Sequence, residues 1–335
     1  MTFINSWLVV SLFIFMVSLG AAYGMLQPLT HDSARDPSQK LHTELNDAFA
    51  KYWKERTGTD VSIRQARSKS GKRVDATVDG LDIIALDLSY DGNTLGKKAR
   101  FIPPEWKPLP QNLPYASPYI STIVFLVRKG NPKGLKDWDD LSRLGVEILA
   151  SNPESEDGRW SYLAAWGYAL KQSDGDEAVA REFVKNLFAN VKLSDSEPGK
   201  GDAMIAFIER GIGDLLLAWE NEAHLLVREK GADKLEIVVP SMSIAAERSI
   251  SVTASGGSGA RDVVATYIDY LYTRQAQDIA ARHYYRPRDP LTNAKYGAQF
   301  PPIALFTIDE VFGGWRKVEQ IHFAKGRLFE QIQNN

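Results

Sequence analysis

The residues with the clearest chemical potential in this chain are those that open helices. Asn152-Pro-Glu-Ser-Glu-Asp-Gly158 is a tight polar loop built from turn-forming and helix-capping types. Trp160, Leu163, Ala164, Gly167 and Leu170 follow it at helical spacing. A helix start carries unpaired N–H groups and a partial positive charge, so it is a seat for an anion. Four other stretches read the same way: Asp36-Pro37, where an N-cap precedes Pro at the first helical position, Ser70-Gly71, Gly199 to Asp202, and Ala218-Trp219. In an α/β sheet such turns gather at the carboxyl edge of the strands, where ligands bind. An indole N–H donates and cannot accept, so Trp219 joined to these amides asks for a guest that only accepts. A fully ionised oxyanion meets that demand.

Other chemistries lack their residues. The 335 residues contain no cysteine, which removes disulfides, thiolate metal sites and cysteine nucleophiles. The five histidines (His31, His42, His224, His283, His322) form no HExxH or paired spacing and none lies in an anion-facing turn. A hydrolase would need a Ser with a His base, so no enzyme is expected, and no metal or cofactor. The formal net charge of −2 gives no electrostatic case for nucleic acid. Ser70-Gly-Lys72 resembles the end of a phosphate-binding P-loop, but residue 73 is Arg and no Gly leads the stretch.

The elements that must position these turns alternate between strand and helix periods. Leu41, Leu45, Ala48, Phe49, Tyr52 and Trp53 share one face of a helix that stops near Gly58. A strand is expected at 60–64, a short helix from about Gly71 to the Asp79-Gly80 stop, and a strand at 82–86. This βαβ rhythm implies an α/β fold with a largely parallel sheet. Residues 102–118 hold six of the sixteen prolines and read as a surface loop. Tyr119 to Val127 is a β-branched run, either a central strand or a crossing between lobes. Strands at 146–150, 213–218, 236–239 and 249–252 and helices at 138–141, 176–188 and 203–210 follow, with Trp219 opening the next helix. The tail is helical, with Tyr284 to Asp289 at a turn.

Residues 1–30 carry no Lys, Arg, Asp or Glu, and Trp7 to Gly24 is almost wholly apolar. Residues 1–24 are expected to be a signal peptide or an N-terminal membrane anchor, which puts the remainder outside the cytoplasm. Any membrane contact would come through that segment, were it retained.

From about Ser33 onward the chain resembles the periplasmic sulfate-binding proteins, the solute-binding components of sulfate/thiosulfate ABC importers. The matching stretches are Asp36-Pro37, Ser70-Gly71-Lys72, YISTIVFLVRKGNP (119–132), Trp160 to Leu170, ERGIGDLLLAWENEA (209–223), YYRPRD (284–289) and FTIDEVFGGW (306–315). The resemblance implies a two-lobed, type II-like periplasmic binding protein with a hinge of crossing strands and a ligand cleft between lobes. It implies lobe 1 at 33–118 plus about 240–335, with C-terminal helices free to pack on both lobes, and lobe 2 at 119–239. In that family, dehydrated sulfate is held by backbone N–H groups, one Ser hydroxyl and one Trp indole. Carried over by motif, the hydroxyl is Ser70 beside Gly71, and the indole is Trp219. The amide of Asp36 contributes from the first helix, and loop amides come from Ser155, Asp157, Gly158 and about Gly199. Lobe closure would trap the ion for a membrane permease, with the receptor a monomer.

Three anion-facing loops depart from the family pattern. The loop before Arg159-Trp160 carries Glu156 and Asp157, glycines upstream of Ser70 are replaced by Ser68 and Lys69 beside Arg67, and the 196–202 turn is longer, with Asp202. A carboxylate repels a dianion unless offset, yet it can accept a hydrogen bond from a protonated oxyanion. Sulfate remains the first expectation. The alternatives are a diverged receptor for thiosulfate or a phosphate-like oxyanion, or a membrane-tethered scaffold outside transport.

Overall fold

The computed structural model describes residues 37–61, 63–67, 73–78, 81–86, 117–194, 203–247, 249–253 and 258–333. The first helix, α1, spans Pro37–Thr57, and Leu41, Leu45 and Phe49 on its apolar stripe are fully buried. It ends at Gly58, whose φ of 71° is the left-handed conformation in which a helix stops most readily on glycine.

Three strands follow: β1 (Ile63–Arg67), β2 (Arg73–Val78) and β3 (Leu81–Leu86). They form an antiparallel meander, closed on the far side of β3 by a later strand at Ser249–Thr253. The short helix expected after Gly71 is therefore replaced by β2, and this sheet is antiparallel where a parallel one was expected. Arg-Val-Asp-Ala-Thr-Val puts β-branched residues, which favour strand, at positions 74, 77 and 78, and pairing with β1 and β3 supplies their backbone partners.

The β-branched run after Pro118 does both things its sequence allows. Tyr119–Ser121 (β4) is a short crossing strand, and Ile123–Arg128 (β5) is the centre of a sheet, with Thr122 between them. Ile148–Ser151 (β6) leads into helix α2 (Glu156–Gln172) and helix α3 (Glu177–Phe188). Val191–Ser194 (β7), helix α4 (Ala203–Ile208), Leu215–Trp219 (β8), helix α5 (Glu220–Lys230) and Leu235–Val238 (β9) complete this part. The sheet order is β7-β6-β8-β5-β9, with β6 parallel to β7 and β8, and β5 antiparallel to β8 and β9. Both faces are covered, so every apolar residue of β5 is buried: Ile123, Phe125 and Val127 toward α2 and α3, Val124 and Leu126 toward α4 and α5.

Helix α2 is the axis of this core. Trp160, Tyr162, Leu163, Ala164, Ala165, Trp166, Tyr168 and Ala169 are all buried, so the helix is apolar around its circumference. The chain then returns through β10 (Met242–Ile244), β11 (Ala246–Glu247) and β12 (Ser249–Thr253). Helices α6 (Ser258–Leu271) and α7 (Arg274–Arg282) pack on α1 in a separate core, where Val263, Tyr267, Tyr270, Leu271, Ile279 and Tyr285 join Leu41, Leu45 and Phe49. The Tyr284 to Asp289 stretch, expected only as a turn, contains strand β13 (Arg286–Pro287), paired with β4. Helix α8 (Pro290–Lys295) and strand β14 (Ala304–Phe306) follow, the latter parallel to β10. Phe306, Ile308, Trp315, Val318, Phe329 and Ile332 of the C-terminal segment are buried in the α2 core rather than with α1. Among the described residues no helix is long and apolar enough to cross a membrane.

Candidate functional site

Strands β6 and β8 run parallel and side by side, with Ile148 opposite Leu215 and Leu149 opposite Leu216. Their carboxyl ends therefore share one sheet edge, and the helices that follow them, α2 and α5, begin there. Ser155 is the N-cap of α2, with extended φ and ψ of −80° and 156°. Its hydroxyl donates to the carbonyl of Asn152 at 2.6 Å and accepts from the Gly158 N–H at 3.1 Å. The Ser155 N–H itself donates to Asn152 O at 2.8 Å. The turn thus absorbs the donors of Ser155 and Gly158, and helix geometry leaves the amides of Glu156 and Asp157 as the ones with no intrahelical acceptor.

Gly158 has a steric reason beyond its amide. A Cβ there would lie 2.1 Å from Asn152 O and 2.5 Å from Ser151 O, so only glycine lets the end of β6 press against the first turn of α2.

Trp219 closes β8 and is the N-cap of α5, with no side-chain capping bond of its own. Its backbone is registered against Ile123, and the next amide, of Glu220, donates to Thr122 O at 2.9 Å. The indole is half-buried and meets Trp160 edge-to-face at a centroid distance of 5.8 Å. Trp160 in turn meets Trp315 edge-to-face at 5.1 Å. Since Trp160 lies just beyond the first turn of α2, this contact brings the Ser155–Gly158 turn and Trp219 to one place. Among the described residues the Trp219 indole N–H has no hydrogen-bond partner, whereas Trp138 donates to Met242 O at 2.8 Å. Of the remaining site residues expected from sequence, Asp36, Ser70, Gly71 and Gly199 lie outside the described residues, and Asp157 is placed by its backbone in α2.

Two charged pairs flank this edge that residue-by-residue reading missed. Arg159 donates to Glu319 at 2.8 Å and lies over the ring of Phe323, 4.6 Å from its centroid, which ties the start of α2 to the C-terminal segment. Glu220, fully buried, takes a two-pronged bond from Arg286: Nε to Oε2 at 2.6 Å and Nη2 to Oε1 at 2.7 Å. Burial pushes the Glu220 carboxyl above the usual range, and the guanidinium opposes that shift. Both partners lie inside stretches that stand out in sequence, 209–223 and 284–289, but their pairing across 66 residues has no local signature.

Next to this edge the chain passes between the α1 core and the α2 core at β4 and at β11, side by side, and again after β13, since Tyr285 is buried with α1 and Phe306 with α2. β4 pairs antiparallel with β11 and with β13. Thr122 donates to Ile244 O at 2.7 Å, and Ser243 donates to Ile123 O at 2.8 Å. Among the described residues no cluster of His, Asp and Glu could hold a metal ion.

Helix starts and an indole donor thus lie at one sheet edge, beside strands that cross between separate cores. The chain belongs to the family described as bacterial extracellular solute-binding protein, which matches residues 38–286. It is 48% identical over 303 residues to the sulfate-binding protein of Escherichia coli (strain K12), covering 89% of this chain and 90% of that one. It is 39% identical over 322 residues to the thiosulfate-binding protein of Pseudomonas aeruginosa, covering 94% and 95%. Among solved structures, the sulfate-binding protein SubI from Mycobacterium tuberculosis H37Rv matches with a TM-score of 0.59 and 29% identity over 71% of this chain and 80% of that one. The fold is that of a two-lobed periplasmic binding protein.

Proposed function

We propose that this chain is a periplasmic receptor that captures sulfate between its lobes and delivers it to the permease of an ABC importer. The observation that carries this reading is the half-buried Trp219 indole N–H, without a partner among the described residues and next to the first turn of α2. Sulfate at neutral pH offers only acceptors, so a site of amides and an indole satisfies it without a cationic side chain. In this reading the Glu156 and Asp157 amides supply the α2 donors, and Asp36, Ser70, Gly71 and Gly199 complete the site from the other loops. Lobe 2 is centred on the β5 sheet, lobe 1 on the α1–α6–α7 core, with the crossing at 119–123 and 243–247. Residues 1–24 act as the export signal or as a retained anchor.

Titration calorimetry with sulfate, thiosulfate and phosphate tests this. Sulfate should bind, and Trp219→Phe should weaken it by about 1.5–3 kcal/mol, the scale of a hydrogen bond to a charged group. Binding of phosphate without sulfate would reject the reading. The thiosulfate-binding relative supports thiosulfate as a second ligand of the same site.

A further inference from the structure

We infer that the buried Glu220–Arg286 pair is a positioning device for Trp219, fixing the start of α5 to the crossing strands so that the indole is held at the site. The inference rests on the reading that places Trp219 against the bound oxyanion.

Glu220 is the residue after Trp219 and the first residue of α5. Both of its carboxylate oxygens are occupied by Arg286, whose third nitrogen, Nη1, donates to Pro301 O at 3.0 Å. The guanidinium also lies over Phe300, 5.4 Å from the ring centroid. Arg286 is in β13, registered against Ile120 of β4. The next residue repeats the connection. Asn221 accepts from the Ser121 hydroxyl at 2.6 Å and donates to the Tyr285 hydroxyl at 3.3 Å. Two successive residues after Trp219 are thus bound to two successive residues around β13 and to the last residue of β4.

The two ends of this clasp belong to different cores. Tyr285 and Tyr119 are buried with α1, α6 and α7, and their rings meet edge-to-face at 5.2 Å. Ala223, one turn into α5, is buried against β5 and β8. Trp219 has no capping bond to hold the first turn of α5 from its own side, so what fixes the turn is the β8–β5 ladder before it and the Glu220 and Asn221 bonds after it.

Stability alone does not call for ions here. Removing a carboxylate and a guanidinium from water is costly, and an uncharged, well-packed pair of similar size serves a core as well or better. What an apolar pair lacks is the forked geometry, which allows one orientation of α5 relative to β13.

The test uses that distinction. Glu220→Leu combined with Arg286→Met replaces the ion pair by an apolar pair of similar volume, and Arg286→Lys keeps the charge but loses the fork. Each variant is measured for its urea unfolding midpoint, for sulfate affinity by calorimetry, and for the indole ¹H–¹⁵N resonance of Trp219, assigned from its loss in Trp219→Phe. We expect the double variant to keep a midpoint near that of the parent, to bind sulfate roughly tenfold more weakly, the scale for coupled neighbours, and to show a displaced Trp219 resonance without ligand. Arg286→Lys should move affinity and resonance in the same direction. Should the double variant not fold, Arg286→Lys decides alone. Parent-like affinity and an unmoved resonance in a folded variant would overturn the inference while leaving the sulfate reading intact. Unchanged affinity in Trp219→Phe, or no sulfate binding by the parent, would overturn both.

Discussion

Gly158 shows how one missing side chain sets the candidate site. The carbonyls of Ser151 and Asn152 at the end of β6 lie where its Cβ would be, so the first turn of α2 sits as close to the strand as backbone allows. Gly158→Ala forces that turn away. We expect it to cost about 1–3 kcal/mol, the scale for overpacking, read from the urea midpoint. Sulfate affinity should fall with it, because the same shift displaces the Glu156 and Asp157 amides. A parent-like midpoint and affinity would mean the turn accommodates a methyl group without moving. The Ser155 hydroxyl is the complementary case. Its type marks a helix start or an anion ligand equally well, and the structure uses it inside the turn, donating to Asn152 O and accepting from Gly158.

At the scale of elements, what sequence revealed and what it hid separate by range. The helix start at Ser155 follows from local capping chemistry and that at Trp219 from the end of the apolar strand run before it, and both lie where the sequence puts them. The run from Tyr119 to Val127 was legible as strand, but one strand or two depends on Thr122, whose hydroxyl bond to Ile244 O is long-range. The stretch from about Gly71 to Gly80 reads as a helix in sequence because a Gly-Lys-Arg start and a Gly80 stop imitate helix punctuation, while pairing to β1 and β3 makes 73–78 a strand. Nothing local says that the C-terminal segment packs on α2. Its anchor is Phe306, fully buried, whose ring lies so close over Gly167 that a Cβ there would be 2.1 Å from it. Phe306→Ala should cost roughly 3–5 kcal/mol by urea unfolding, as for other large-to-small core changes. A cost below about 1 kcal/mol would show that the segment does not brace α2.

For the whole molecule, buried histidines set the response to acid. Burial holds His322 down to about 4, inside a box formed by Tyr162, Trp166, Phe312 and Phe323. Burial, with the nearby Arg286 guanidinium, also holds His224 down to about 4, stacked on Tyr284 at 5.1 Å. An unfolded chain takes up these protons near the ordinary value of about 6.5. Between pH 6.5 and about 4 the unfolded state therefore binds more protons than the folded one, and stability falls as pH falls. Each histidine contributes up to about 1.4 kcal/mol per pH unit within that window. Asp289, held below its usual range by the Thr292 hydroxyl, and Glu310, held down by Lys171, act in the same direction at the acid end. Urea midpoints measured at intervals from pH 7 to 4.5 should therefore decline, and His322→Phe should make the decline shallower while leaving sulfate affinity at pH 7 unchanged. An identical pH slope in parent and variant would mean that His322 titrates alike in folded and unfolded chains, and that burial in the aromatic box does not exclude its proton.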